Sequence, residues 1–302
     1  MTANTADVPY RSFWTYVYDV PHKVDWIDAG GVRTRYIEAG DPSKPTVLML
    51  HGIAGSLENF MANIGPFSKD FHVLAMDFVG TGFSDKPDKD LFIADYIAQV
   101  DGFLKAKNVE KASLIGVSLG SFVTMAFTAK YPEKVNKIVM IAAAGKLVPA
   151  MLAAAVKPDT AAIAEHIRKR RISTVQNPTW EAVREMFDEL ILEEKNKIDD
   201  VIGVRQSIYK LPEMPSSMER IVALLSPQAI AENLVAQEHW DHPKVPALFI
   251  ETPDSHDFSY DICQEVKGNP NVTVHPIPKT KHWPQFEAPE TFNQVAIDFI
   301  KA

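Results

Sequence analysis

Short apolar runs alternate along much of this chain with longer stretches of helical period. "TVLMLHG" (Thr46 to Gly52), "FHVLAMDFVGTG" (Phe71 to Gly82), "ASLIGVSLG" (Ala112 to Gly120) and "VNKIVMIAAAG" (Val135 to Gly145) come first. "VPALFIE" (Val245 to Glu251) and "NVTVHPIP" (Asn271 to Pro278) follow near the C-terminus. Such runs, apolar on both faces and separated by helical segments, predict a mostly parallel sheet covered by helices on each side. Upstream, "VDWIDAGGVRTRYIEAG" predicts a hairpin turning at "AGG".

Between these halves the pattern changes. Lys146 to about Trp240 is rich in Ala, Glu, Lys, Arg and Met, and no strand pattern is evident. "TWEAVREMFDELILEEKNKI" (Thr179 to Ile198) carries Val183, Met186, Phe187 and Leu190 at helical spacing, with Thr179 as helix-start chemistry. The organisation predicted is therefore an α/β core from residues 1–145 and 241–302, interrupted by a helical insertion at 146–240.

Composition narrows the function. The 302 residues are 46% hydrophobic and 23% charged, enough for a full core. A net charge of −8 argues against nucleic acid or an anionic membrane as partner. The densest basic run, "HIRKRR" (His166 to Arg171), is expected to cover an exposed helix face. One cysteine, Cys263, rules out an internal disulfide and fits a reduced, cytoplasmic setting. No apolar run reaches membrane-spanning length, and the N-terminal stretch lacks the apolar core of a signal peptide.

The candidate chemistry starts at "LIGVSLGSF". Here Ser118 sits in a G-x-S-x-G pattern between a strand and the helical "SFVTMAFTAKY". A sharp strand-to-helix turn needs small neighbours and sets the serine beside unpaired N–H groups of the helix start. A bare match is weak; its strand-turn-helix context makes Ser118 the candidate nucleophile rather than a helix cap. It needs a base and an orienting acid, in the chain order Ser, acid, His. His282, in the loop after the last strand, suits that order better than His72, His166 or His275, which fall in strands or in the insertion. Two acids follow the strand ending "ALFIE": Asp254, preferred because it is nearer the strand end, and Asp257, with the other expected to cap a helix. The oxyanion donors expected are the N–H groups of Leu119 and of Ile53, the latter after His51-Gly52.

Taken together, "LMLHGIAGS", "MDFVGTGFSDKP", "GVSLGS" and "KHWPQFEAPETF" resemble the α/β-hydrolase superfamily over nearly the whole chain, with the insertion as its lid. Within it the chain is most similar to the meta-cleavage-product hydrolases. These cut C–C bonds in 2-hydroxy-6-oxohexa-2,4-dienoates made by aromatic ring fission. The resemblance implies that Trp283 lines the pocket. It also implies that Arg205, in "DDVIGVRQSIY", binds the substrate carboxylate, with Arg184 as the alternative. Gly52, Val117, Phe122 and Phe187 are expected beside the substrate, with Met151, Leu152 and Trp180 as further apolar candidates. The chain departs from the family at Val117, where Asn is usual, at Lys281, where Gly is usual, and in the less glycine-rich "HGIAGS".

The resulting expectation is a triad hydrolase of a small molecule, with no metal and no organic cofactor. A carboxylesterase or lactonase uses the same residues, and a ligand-binding receptor on this fold is a rival of another class. Ile191 to Arg205 offers an apolar face either to the insertion itself or to a homodimer interface.

Overall fold

The computed structural model describes residues 12–149, 160–225, 232–255 and 257–302; the suggested pocket residues Met151 and Leu152 lie outside them. Eight strands form one sheet: β1 (His22–Asp28), β2 (Arg33–Ala39), β3 (Thr46–Leu50), β4 (His72–Met76), β5 (Ala112–Val117), β6 (Val135–Ile141), β7 (Ala247–Glu251) and β8 (Val272–Pro276). Their order is β1-β2-β4-β3-β5-β6-β7-β8. The β1/β2 and β2/β4 pairs are antiparallel and all others parallel. Each predicted run is a strand, and the "AGG" turn joins β1 to β2.

The helices are α1 (Trp14–Val17), α2 (Met61–Ser68), α3 (Ile93–Ala106) and α4 (Leu119–Lys130) in the first half. Between β6 and β7 come α5 (Thr160–Gln176), α6 (Trp180–Glu185), α7 (Asp199–Tyr209), α8 (Met214–Val222) and α9 (Gln237–Asp241). The last half adds α10 (Ser259–Val266), α11 (Pro284–Glu287) and α12 (Pro289–Lys301).

The two-residue period of an extended strand divides the core. In β3, Val47 and Met49 join one buried cluster with Phe67 of α2 and Phe292 of α12. Leu48 and Leu50 join another with Phe103 of α3 and Phe127 of α4. Central strands β3, β4 and β5 are buried along their whole length, as strands covered on both faces must be. Edge strand β1 is half exposed and carries Lys23 and Asp25 outward, charges that discourage edge-to-edge pairing.

The insertion is continuous with this core. Val183, Phe187, Ile191, Val201 and Ile202 are all buried within the cluster of the α2/α12 face. The apolar face of Ile191 to Arg205 is thus covered inside the chain. The Thr179 hydroxyl accepts from Ala182 N at 3.2 Å and starts α6 as expected. The helical period over Thr179 to Ile198 does not hold throughout, however: α6 ends at Glu185, a 3-10 turn follows, and the chain then opens. The reason is tertiary. Leu190 C=O accepts from His282 N (3.1 Å) and Trp283 N (3.2 Å), so it does not serve a helix.

Candidate active site

The candidate residues gather beyond the C-terminal ends of β3, β5, β7 and β8, the side of a parallel sheet where loops converge. At the end of β5 the chain turns into α4 through Ser118, whose backbone has φ 54° and ψ −112°. A non-glycine residue there costs about 1–3 kcal/mol and persists only where its surroundings enforce it. The glycines explain how. A Cβ on Gly116 would lie 2.3 Å from Gly120 O, and one on Gly120 would lie 2.0 Å from Leu50 O. Strand, turn and helix can approach this closely only without those side chains. The turn is tied down by Ser118 N donating to Ile141 O (2.9 Å) and Ser121 Oγ donating to Ser118 O (2.7 Å). Leu119 opens α4, so its N–H has no acceptor within the helix.

His51 organises the facing loop. Its Nε2 accepts from Phe78 N at 2.9 Å, so the proton sits on Nδ1 and is donated to Gly52 O at 2.7 Å. Burial outweighs the Gly52 bond and, with the positive charge of Arg205, lowers the His51 pKa to about 3; the ring is neutral. Gly55 N also donates to Gly52 O, at 3.0 Å. With that carbonyl fixed, the N–H of the same planar peptide, on Ile53, must point the opposite way. Gly52 and Ile53 line the cavity that holds Ser118, and a Cβ on Gly52 would be 3.4 Å from the Ser118 Cβ.

The carboxylate paired with His282 is Asp257, the second of the two candidates, and not Asp254, the one preferred from the sequence. Asp257 Oδ2 accepts from His282 Nδ1 at 2.7 Å and from Ser255 Oγ at 2.7 Å. Its other oxygen accepts from Ser259 N at 2.9 Å and from Ser259 Oγ. Asp254 is exposed and accepts instead from Lys279 N at 2.7 Å, which leaves it turned away from His282. Proximity to the strand end does not decide it: the two serines hold the longer loop, and the carboxylate that accepts from Ser259 N, the first N–H of α10, is also the histidine's partner. Burial raises the Asp257 pKa, but the His282 bond, the attraction that ring exerts when protonated and the serine bonds prevail and hold the carboxyl well below its usual range. His282, with Nδ1 committed to Asp257, has Nε2 as its remaining ring nitrogen.

The cavity measures about 480 Å³ and is lined by residues of both core and insertion. Ser118, Asp257, His282 and Trp283 lie on it together with Arg205. Arg205 is 3% exposed, its Nε has no hydrogen-bond partner, and its guanidinium lies over the rings of Phe187 (5.4 Å) and Tyr209 (5.8 Å). The alternative, Arg184, is engaged with Glu194 and does not line the cavity.

Three expected neighbours of the substrate are displaced from the wall. Val117 faces the buried core with Ile115 and Val139. Phe122 packs against Gly145, where a Cβ would strike its ring. Phe187 stands behind the wall, edge-on to Trp283 at 5.6 Å. Trp180 likewise packs elsewhere, its ring near Gly203.

Several residues were missed. Asn59 lines the cavity, is 1% exposed, and neither atom of its amide has a partner. Its signal in the sequence is a pair of polar residues, Glu58 and Asn59, flanked by the apolar Leu57, Phe60 and Met61. Arg171 and Ser255 also lie on the wall. Glu287 accepts from Lys281 N at 2.6 Å and Leu192 N at 2.7 Å, binding the histidine loop to the insertion. Burial raises its pKa. Among the described residues no cluster of potential metal ligands occurs.

An open α/β sheet with a serine elbow and a His–Asp pair at one end defines a class, and the family model for the α/β hydrolase fold matches residues 45–289. The chain belongs to that family and is a hydrolase. A 2-hydroxy-6-oxononadienedioate/2-hydroxy-6-oxononatrienedioate hydrolase from Paraburkholderia phymatum is 28% identical over 276 residues, covering 89% of this chain and 91% of that protein. A 2-hydroxy-6-oxo-6-phenylhexa-2,4-dienoate hydrolase from Comamonas testosteroni is 26% identical, over 92% and 95% of the two chains. In structure the chain is similar to the 2-hydroxy-6-oxo-6-phenylhexa-2,4-dienoate hydrolase of Rhodococcus sp. strain RHA1 (TM-score 0.80, 19% identity, 94% of this chain and 100% of that one), a likeness of fold. No helix among the described residues is long and apolar enough to cross a membrane.

Proposed function

We propose that the chain hydrolyses the C–C bond of a 2-hydroxy-6-oxohexa-2,4-dienoate-type ring-fission product, with Ser118, His282 and Asp257 as its triad. The observation that carries this reading is the buried Arg205 on the same wall as Ser118 and His282, which has no ion-pair partner among the described residues and donates only a long 3.5 Å bond to the Tyr209 hydroxyl. An esterase acting on neutral substrates has no use for a buried cation, whereas a dienoate brings the carboxylate that satisfies it. The relatives named above act on such dienoates.

In this mechanism His282 Nε2 takes the proton of Ser118 or of a water, and Asp257 steadies the imidazolium. The substrate first shifts from dienol to ketone, with a proton moving to C5. Attack at C6 gives an oxyanion bound by the Ile53 and Leu119 N–H groups, worth about 3–4 kcal/mol per donor. Collapse breaks C5–C6, and the electron pair leaves as a dienolate stabilised by the keto acid. Water then releases the acyl group as a carboxylic acid. Asn59, with its amide free, donates to the substrate's oxygens in place of the residue absent at position 117. The insertion acts as the lid over this chemistry.

Bleaching of yellow 2-hydroxy-6-oxo-6-phenylhexa-2,4-dienoate, lost in Ser118→Ala and weakened in Arg205→Met, is the expected result. One observation favours a second reading: Val117 lies in the core and gives the cavity no polar group beside the nucleophile. Turnover of p-nitrophenyl esters with unbleached dienoates would establish an esterase or lactonase instead.

A further inference from the structure

We propose that Arg171 is a second anion-binding residue of this cavity, and that the substrate carries two carboxylates, one held by Arg205 and one by Arg171. The inference rests on the reading of the cavity as the substrate site and adds the class of acid it takes.

The basic run "HIRKRR" divides in the structure. Arg168 pairs with Glu165 (2.7 Å), Lys169 approaches the same carboxylate (3.6 Å) and Arg170 pairs with Glu189 (2.6 Å). These are the surface pairs expected of an amphipathic helix. Arg171 turns the other way and lines the cavity with Ser118 and Arg205. As a residue it is half-buried, but its Nε is closed off from solvent and has no hydrogen-bond partner. Burial, and then the charge of Arg205, pull its pKa below the usual value, against the attraction of Tyr209 and Glu189.

The charges on the wall do not balance. Glu189 is held by Arg170, Asp257 accepts from His282, and the Lys281 ammonium, also without an ion-pair partner among the described residues, donates to Asp188 O (2.7 Å) at an exposed position. Arg171 and Arg205 remain, two guanidiniums with no ion-pair partner among the described residues. Removing a cation from water without a partner is strongly unfavourable, and two such cations in one cavity also repel. A monocarboxylate would leave one of them uncompensated. A dicarboxylate neutralises both, and each guanidinium presents a fork that fits one carboxylate.

The test compares two yellow dienoates: 2-hydroxy-6-oxonona-2,4-dienedioate, and the same molecule with its distal carboxylate methylated. Wild type should favour the diacid by about 100-fold in kcat/KM. Arg171→Met should erase that preference, mainly through KM, and change the ester's kcat/KM less than about threefold. Arg171→Lys should restore part of it. The ligand-free melting temperature of Arg171→Met should be unchanged or higher, because an uncompensated cation has gone. Equal rates on the two substrates, equal losses in the variant, or a melting temperature lowered by several degrees would each overturn the proposal. Bleaching of neither substrate by wild type would refute the C–C reading alone. The proposal is then decided by heat stability with glutarate, pimelate and azelate against their monomethyl esters. Stabilisation by the diacids that disappears in Arg171→Met supports it, and its absence in wild type overturns it.

Discussion

The two walls of the cavity are built on opposite rules. On the core side the ionisable groups are mostly engaged: both nitrogens of His51 are bonded, Asp257 accepts from Ser255, His282 and twice from Ser259, and Nε2 is the remaining nitrogen of His282. On the insertion side Arg205 and Arg171 are left without ion-pair partners among the described residues. Satisfied groups hold geometry; unsatisfied ones await something from outside. On the function proposed above, the core side breaks the bond and the insertion side recognises the anion.

The largest effect tests the core wall. Ser118→Ala should lower kcat by about 10⁴–10⁶ on any substrate, with an unchanged fold. Asp257→Asn should cost about 10⁴, because the ring loses its orienting acceptor. Asp254→Asn should stay within about twofold of wild type, which a side-by-side rate measurement checks. Were the two aspartate variants equally impaired, the assignment of the acid would fail. Arg205→Met should act differently. About 10²-fold should be lost on the dienoate, while a neutral p-nitrophenyl ester is barely touched. Equal loss on both would erase the distinction between the walls.

The pH dependence carries the same division. His51 has a folded-state pKa of about 3, below the 6.5 of a free imidazole. Its contribution to stability is complete above pH 6.5 and is lost as pH falls from there towards 3, since only the unfolded chain takes up the proton. The ring resonances of His51 should therefore show no titration above about pH 4 by NMR. Asp257, depressed below its unfolded value, contributes above about pH 4 and loses that contribution as pH falls further.

The core was the more legible region because its rules are local. Strand runs and the G-x-S-x-G turn are written in adjacent residues, and the chain order of serine, acid and histidine follows the order of the strands that carry them to one end of the sheet. Asp254 looks the better candidate from the sequence because the contacts that bring Asp257 to His282, from Ser255 in the loop and Ser259 at the start of α10, depend on a loop path that no periodicity encodes. Val117, Phe122 and Phe187, expected beside the substrate, turn away from the wall. Which way a side chain turns is set by packing across elements distant in sequence. Arg171 illustrates the same limit: in sequence it is one of four basic residues in a row, and only the fold separates it from the other three.

The smallest effect tests whether the two walls unfold as one. Thr179 caps α6 with a 3.2 Å bond to Ala182 N, and the helix it starts leads into the segment that accepts His282 N and Trp283 N at Leu190 O. Thr179→Ala should cost about 1 kcal/mol. Because Val183 and Phe187 share a buried cluster with the sheet, that loss should appear in the global transition, as a fall of about 2 °C in melting temperature. Hydrogen exchange separates this from the alternative. If protection falls only in residues 180–192 while the sheet amides and the melting temperature are unchanged, the insertion opens independently of the core. The bonds from Leu190 to the histidine loop would then break in every opening, and the recognition wall would control the chemical one through that contact.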